Sequence, residues 1–213
     1  FIESHAHIMG VGYNLMNVDL MATTSYEELV AQVKKAADET PEGEWILGRG
    51  WHQDKWIKPA ERMVDGFQTH HLLSEAVPNH PVFLSHASGH AGFANAKAME
   101  LAGITKDTKT PDGGDIFRDI NGEPTGLFNE TAQGLIRAAI PENTMEKQQR
   151  ALELAVQACL ELGITTTRAL RLAWVTITLL FVRSSCTQMV RSVQEVPGCW
   201  KNTATCRECL ATM

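Results

Sequence analysis

With 213 residues, 44% of them apolar and 21% charged, the chain has room for one large domain or two small ones. A net charge of −6 suggests neither nucleic acid nor an anionic membrane as a partner and is compatible with a small-molecule one. The apolar run Ala169 to Val182 is 14 residues long, is broken by Arg171, and is too short to span a membrane.

In chain order, the first element is a strand at Phe1 and Ile2, followed by a loop expected at Gly10 and Gly12. Residues two apart on a strand point to one side, so His5 and His7 face one point at the strand's end. Neutral imidazoles are ligands for zinc and similar divalent ions, and two at this spacing supply half of a four-ligand site. The plainer alternative is a pair of polar histidines in a loop.

Ser25 with Glu28 three residues on is a capping box, and Leu29, Val30, Val33, Ala36 and Ala37 follow as one helical apolar face that ends at Thr40-Pro41. Trp45 to Gly50 reads as a short strand. Trp51 to Val77 is loop-rich with a short helix; within it His70 and His71 are adjacent, would point oppositely on a strand, and are read as surface residues. Pro81 to Leu84 is a strand ending at Ser85-His86, and Asn95 caps a helix that runs to Leu101. Asn121-Gly122 between Ile116–Ile120 and Pro124–Phe128 predicts a hairpin. Asn143 with Glu146 opens a longer helix with a buried stripe at Leu152, Val156, Cys159 and Leu160, and Ile164 to Thr167 starts a strand.

Four stretches carry a resemblance. They are Phe1-Ile2-Glu3-Ser4-His5-Ala6-His7 with the residues to Gly12, Trp45 to Trp51, Pro81 to Asn95, and Gly122 to Glu130. In this order they resemble the metal-dependent amidohydrolases, in particular the YtcJ-like branch, amidohydrolase family 3, over residues 1 to about 167. Glu3 departs from the family's usual Asp but keeps the charge. The resemblance implies an α/β fold: part of a TIM-type β/α barrel, with an α+β insertion after the first strand. It also implies a β-rich domain ahead of the barrel, and the chain is read as truncated there. No signal peptide or lipid anchor is visible; the compartment stays open, the cytoplasm favoured, and so does the oligomeric state.

The resemblance further implies a divalent metal, zinc, held by His5 and His7, then by a bridging carboxylated Lys or acid, two later His and an Asp that acts as base. No histidine follows His90, so the remaining ligands and the base are expected outside this chain. His90 matches a family position that lines the substrate pocket, with a loop-bracing histidine as the alternative. Glu130 at a strand end is a second substrate-facing candidate; Asp54 has similar standing, with a solvated carboxylate as the alternative for both.

At Arg168 the composition changes. Residues 168–213 hold six Lys and Arg against two Glu, 6 − 2 = +4, so residues 1–167 carry −6 − 4 = −10. This tail lacks the family pattern, and a shifted reading frame near residue 167 is favoured over a divergent extension. Cys206 and Cys209 have zinc half-site spacing, but Cys186 and Cys199 are too far apart to complete it.

The resulting expectation is a metal-dependent hydrolase of carbon–nitrogen bonds other than peptide bonds, amides or cyclic amides. Its rivals are a metal-dependent phosphoesterase, which can also open with His-x-His on a barrel strand, and an inactive or partly folded fragment.

Overall fold

The structure, a computed structural model, describes residues 1–169 and 176–178. In chain order the elements are β1 (Ile2–Ala6), α1 (Ile8–Met16), β2 (Val18–Asp19), α2 (Tyr26–Asp38), β3 (Ile46–Trp51), a 3₁₀ turn at Gln53–Lys55, β4 (Met63–Val64), β5 (Phe67–Gln68), α3 (His71–Ala76) and β6 (Val82–His86). They continue with β7 (Ala91–Ala94), α4 (Ala96–Leu101), β8 (Ile116–Arg118), β9 (Pro124–Asn129), a 3₁₀ turn at Glu130–Ala132, α5 (Gln133–Arg137), α6 (Met145–Glu161), β10 (Thr166–Ala169) and β11 (Thr176–Thr178). These elements make a mixed α/β fold of two units. One comprises 1–16 with 143 onward, and the other is Asn17–Glu142.

In the first unit, β1 pairs in parallel with β10, Ile2 opposite Thr166 and Glu3 opposite Thr167, and β11 adds antiparallel to β10. The Phe1 amino group donates to the Gly163 carbonyl, and Thr165 N–H donates to the Phe1 carbonyl at 2.9 Å. Ile8 of α1 packs on Ala155 and Val156 of α6, flanked by Leu152, Cys159 and Leu160, the stripe expected from the sequence. The loop expected at Gly10 and Gly12 is helix instead. Gly12 is buried, and a Cβ there would run into the backbone of Ala151. This glycine therefore serves close helix approach, not chain reversal. The cap of α6 also differs: Thr144, not Asn143, accepts the N–H of Lys147, at 3.2 Å.

In the second unit a six-stranded sheet runs β2-β3-β6-β7-β9-β8. β2, β3 and β6 are parallel, and the later neighbours antiparallel. Alternation along the strands separates two cores. Leu84, Phe93 and Leu127 face Leu29, Val33 and Leu73 of α2 and α3, whereas Phe83, Ala94 and Phe128 face Ala98, Met99 and Ile136 of α4 and α5.

The local signals at both ends of this sheet have identifiable partners. Ser25 Oγ accepts the Glu28 N–H at 3.0 Å, while the Glu28 carboxylate turns to Thr24. Asn95 is fully buried and saturated: Oδ1 accepts from Val82 and Ala98 N–H, and Nδ2 donates to the Val77 and His80 carbonyls. The Asn121-Gly122 hairpin forms with Gly122 at φ +83°, and Asp119 accepts the N–H of Asn121 and of Glu123. The expectations for Cys186, Cys199, Cys206, Cys209 and the tail beyond Thr178 lie outside the described residues.

Candidate functional site

His5 is the last residue but one of β1, and His7 lies just past the strand, between Ala6 and α1. Their rings meet edge to face with centroids 5.5 Å apart, and both residues are exposed. Two imidazoles on one tetrahedral zinc, each nitrogen about 2.1 Å from the ion, would put their centroids about 5 Å apart. The observed separation is close to that spacing. Glu3 Oε1 accepts the His5 N–H at 2.8 Å. Among the described residues, no group of three or more His, Cys, Asp or Glu is arranged to hold a metal.

The second unit gathers polar side chains at one edge of its sheet. β3 and β6 are parallel, with Trp51 opposite His86, so both end there. β7 runs back against β6 and β9 against β7, which brings the start of β7 and the end of β9 to the same edge. His90 and Glu130 therefore come together, with His90 Nδ1 2.9 Å from Glu130 Oε1. Both remain largely exposed, at 72% and 53% of the side chain. Glu130 sits in the left-handed region at φ 41°, a conformation that costs a non-glycine residue about 1 kcal/mol or more.

Beside them lie two histidines that sequence reasoning did not single out. The His52 and His86 rings are 4.6 Å apart, and His86 packs against Trp51 at 4.6 Å. Ser88 N–H donates to His86 Nδ1 at 3.1 Å, so in the neutral ring the proton sits on Nε2. Burial, then the neighbouring His52, holds the His86 pKa below its ordinary value. His86 Nε2 is shielded and has no hydrogen-bond partner among the described residues. Their only signal in the sequence was position, one histidine at or just past the end of each of two apolar strands. Asp54 is a solvated carboxylate, 75% exposed and 3.9 Å from His52 Nδ1.

His70 and His71 do not point oppositely. They open α3, where their rings stack at 4.4 Å and 15°. His70 Nδ1 lies 2.9 Å from Ser74 Oγ, and burial followed by the charge of His71 lowers the His70 pKa to about 4. None of the described helices is long and apolar enough to cross a membrane.

Among known proteins, the chain is similar to the amidohydrolase-type protein YtcJ of Bacillus subtilis (strain 168), 35% identical over 165 residues, 78% of this chain and 30% of that protein. It is 34% identical over 157 residues to the N-substituted formamide deformylase of Arthrobacter pascens, 72% of this chain and 28% of the relative. A solved structure, an uncharacterized metal-dependent hydrolase from Pyrococcus horikoshii OT3, superposes with a TM-score of 0.55 at 28% identity over 78% of this chain and 30% of that one. The chain thus spans about 30% of the length of the proteins it matches. The sequence pattern of the amidohydrolase family matches residues 1–179, past the composition change at Arg168. Because that match takes in 179 of the 213 residues, from β1 through β11, the chain belongs to the amidohydrolase family.

Proposed function

We propose that this chain carries the first metal-ligand pair of a zinc-dependent hydrolase that cleaves carbon–nitrogen bonds in amides or cyclic amides, within a TIM-type barrel. The observation that carries the reading is the meeting of the His5 and His7 rings at 5.5 Å at the carboxyl end of β1. In barrels of this type the strand ends at that face bear the chemistry. β1 and β10 are parallel with a helix between them, which is the repeating step of such a barrel. A relative whose name makes it a deformylase of N-substituted formamides supports carbon–nitrogen cleavage as the reaction.

His5 and His7 would hold the ion, and the Glu3 carboxylate accepts the backbone N–H of the first of them. Once bound, a divalent ion lowers the pKa of its water and polarises the scissile carbonyl. His90 and Glu130 are the proposed substrate-facing pair, with the Glu130 carboxylate orienting the imidazole so that Nε2 faces outward to a ligand.

A second reading concerns the 213-residue chain taken alone. With two ligands and, among the described residues, no group of three or more able to hold a metal, it binds zinc weakly and turns nothing over. Calorimetry with Zn²⁺ on the chain and on the His5→Ala/His7→Ala variant tests the site. Weak binding lost in the variant is expected; equal heats from both remove the site. Metal-dependent amide hydrolysis by the purified chain, abolished by His5→Ala, would overturn the second reading.

A further inference from the structure

The histidine pair of the first unit is only half supplied with ligands. His5 and His7 are both exposed, with ring centroids 5.5 Å apart. Zinc held by protein side chains in a structural site is almost always four-coordinate. Among the described residues no group of three or more His, Cys, Asp or Glu is arranged to hold a metal, so no third side chain of that kind joins the pair. Glu3, the acid nearest in sequence, has one carboxylate oxygen on the His5 N–H. Two coordination positions are left for donors from elsewhere.

The pair also lies where a second copy of the chain can reach it. β1 is the end strand of its sheet, so among the described residues it pairs with β10 on one side and with no strand on the other. Gly10 stands beside His7: a Cβ there would come within 3.6 Å of the His7 Cβ, and the missing side chain leaves that flank open. The same 16 residues carry several exposed apolar groups. Phe1 and Ile2 are 86% and 78% exposed, and Val11 and Leu15, four apart on one face of α1, are exposed too. Burying even part of this apolar surface offsets the cost of bringing two chains together.

We propose that two copies of this chain share one zinc ion, His5 and His7 of each copy filling its four positions. A two-fold axis through the ion relates the copies, so each pair meets its own equivalent and the assembly closes at two. Each copy brings two donors for the loss of one molecule's freedom, which favours the shared ion over four separate histidines. Four imidazoles leave no open position for water or substrate, so this ion is structural and not catalytic. The inference rests on the reading of His5 and His7 as metal ligands, and its readout is molecular mass, not turnover.

Sedimentation equilibrium is run on the whole chain, with Cys206→Ser and Cys209→Ser so that those two thiols cannot take the metal. It is measured metal-free, with half an equivalent of Zn²⁺, and again after EDTA. The mass should double with zinc and return with EDTA, and the doubled species should hold one zinc per two chains. His5→Ala/His7→Ala, made at exposed positions that carry none of the core, should keep the metal-free mass throughout. Zinc bound through the histidines with no change in mass, or one zinc per chain in the doubled species, overturns the shared ion and leaves the metal reading standing. An equal rise in mass in the variant also overturns it, since the histidines are then not the bridge. No zinc binding that depends on His5 and His7 overturns the metal reading, and this inference with it.

Discussion

Glu130 holds His90 twice: its Oε1 lies 2.9 Å from His90 Nδ1, and its own N–H donates to the His90 carbonyl at 2.9 Å. The backbone bond lies one step past the β7–β9 ladder and survives any substitution at Glu130 except proline. The side-chain contact is exposed, and such pairs contribute about 0–1 kcal/mol. The conformation matters more, because Glu130 has φ 41°. Glu130→Gly and Glu130→Ala lose the same contact, but only glycine is free of the left-handed penalty. Urea unfolding should therefore find Glu130→Gly more stable than Glu130→Ala by about 1 kcal/mol. Equal midpoints would mean that the strain is not there.

Gly12 tests the packing beneath the histidine pair. A Cβ at this position would meet the Ala151 backbone, which cannot rotate away as a side chain can. Although alanine is the better helix former, Gly12→Ala should destabilise the first unit by about 1–3 kcal/mol. Gly10→Ala is the control, since a Cβ there meets only the His7 side chain at ordinary contact distance. Amide exchange in α1 and α6 should rise in the first variant and stay as it is in the second.

His70 predicts a pH dependence. Its folded pKa, lowered to about 4 by burial and then by His71, lies below the ordinary histidine value of about 6.5. Between the two the unfolded chain takes up a proton that the folded chain refuses, so this residue lowers stability as pH falls from about 6.5 to about 4, and no further below that. Other groups add a pH dependence of their own, as does Asp119, whose pKa the Glu123 N–H holds below its ordinary value, so the comparison is wild type against His70→Asn. The variant should lose less stability across that range; parallel curves would sink the assignment.

Local chemistry made much of the fold legible. Ser25, Asn121-Gly122 and the capping bond of Asn95 to Ala98 act within a few residues of themselves, and each does in the structure what its residue type predicts, whereas the bonds of Asn95 to Val77, His80 and Val82 reach across the fold. Two misreadings had a shared cause, the reach of tertiary packing. Gly12 looks like a loop residue until α6 lies against it, and His70 and His71 look opposed until α3 turns them face to face. The meetings of His90 with Glu130 and of His52 with His86 depend on sheet register between strands far apart in sequence, and no spacing in the chain encodes it. His5 and His7 do come close, but not as two residues of one strand: His7 falls just past β1, whose register is already irregular between Glu3 and Ala6.

The pairing of β1 with β10 has a consequence in time. Phe1 and Gly163, joined by a hydrogen bond, are 162 residues apart, and the whole second unit, Asn17–Glu142, is translated between them. At roughly 5–20 residues per second, synthesis takes on the order of ten to thirty seconds to cross that gap. Once its last strand is made, the second unit has every strand of its own sheet available, while β1 still waits for β10. The strand that bears His5 and leads into His7 precedes its partner on the ribosome by nearly the length of the described chain. A nascent chain stalled anywhere before β10 would display the imidazole pair on an unpaired strand, open to chaperones and to stray metal alike.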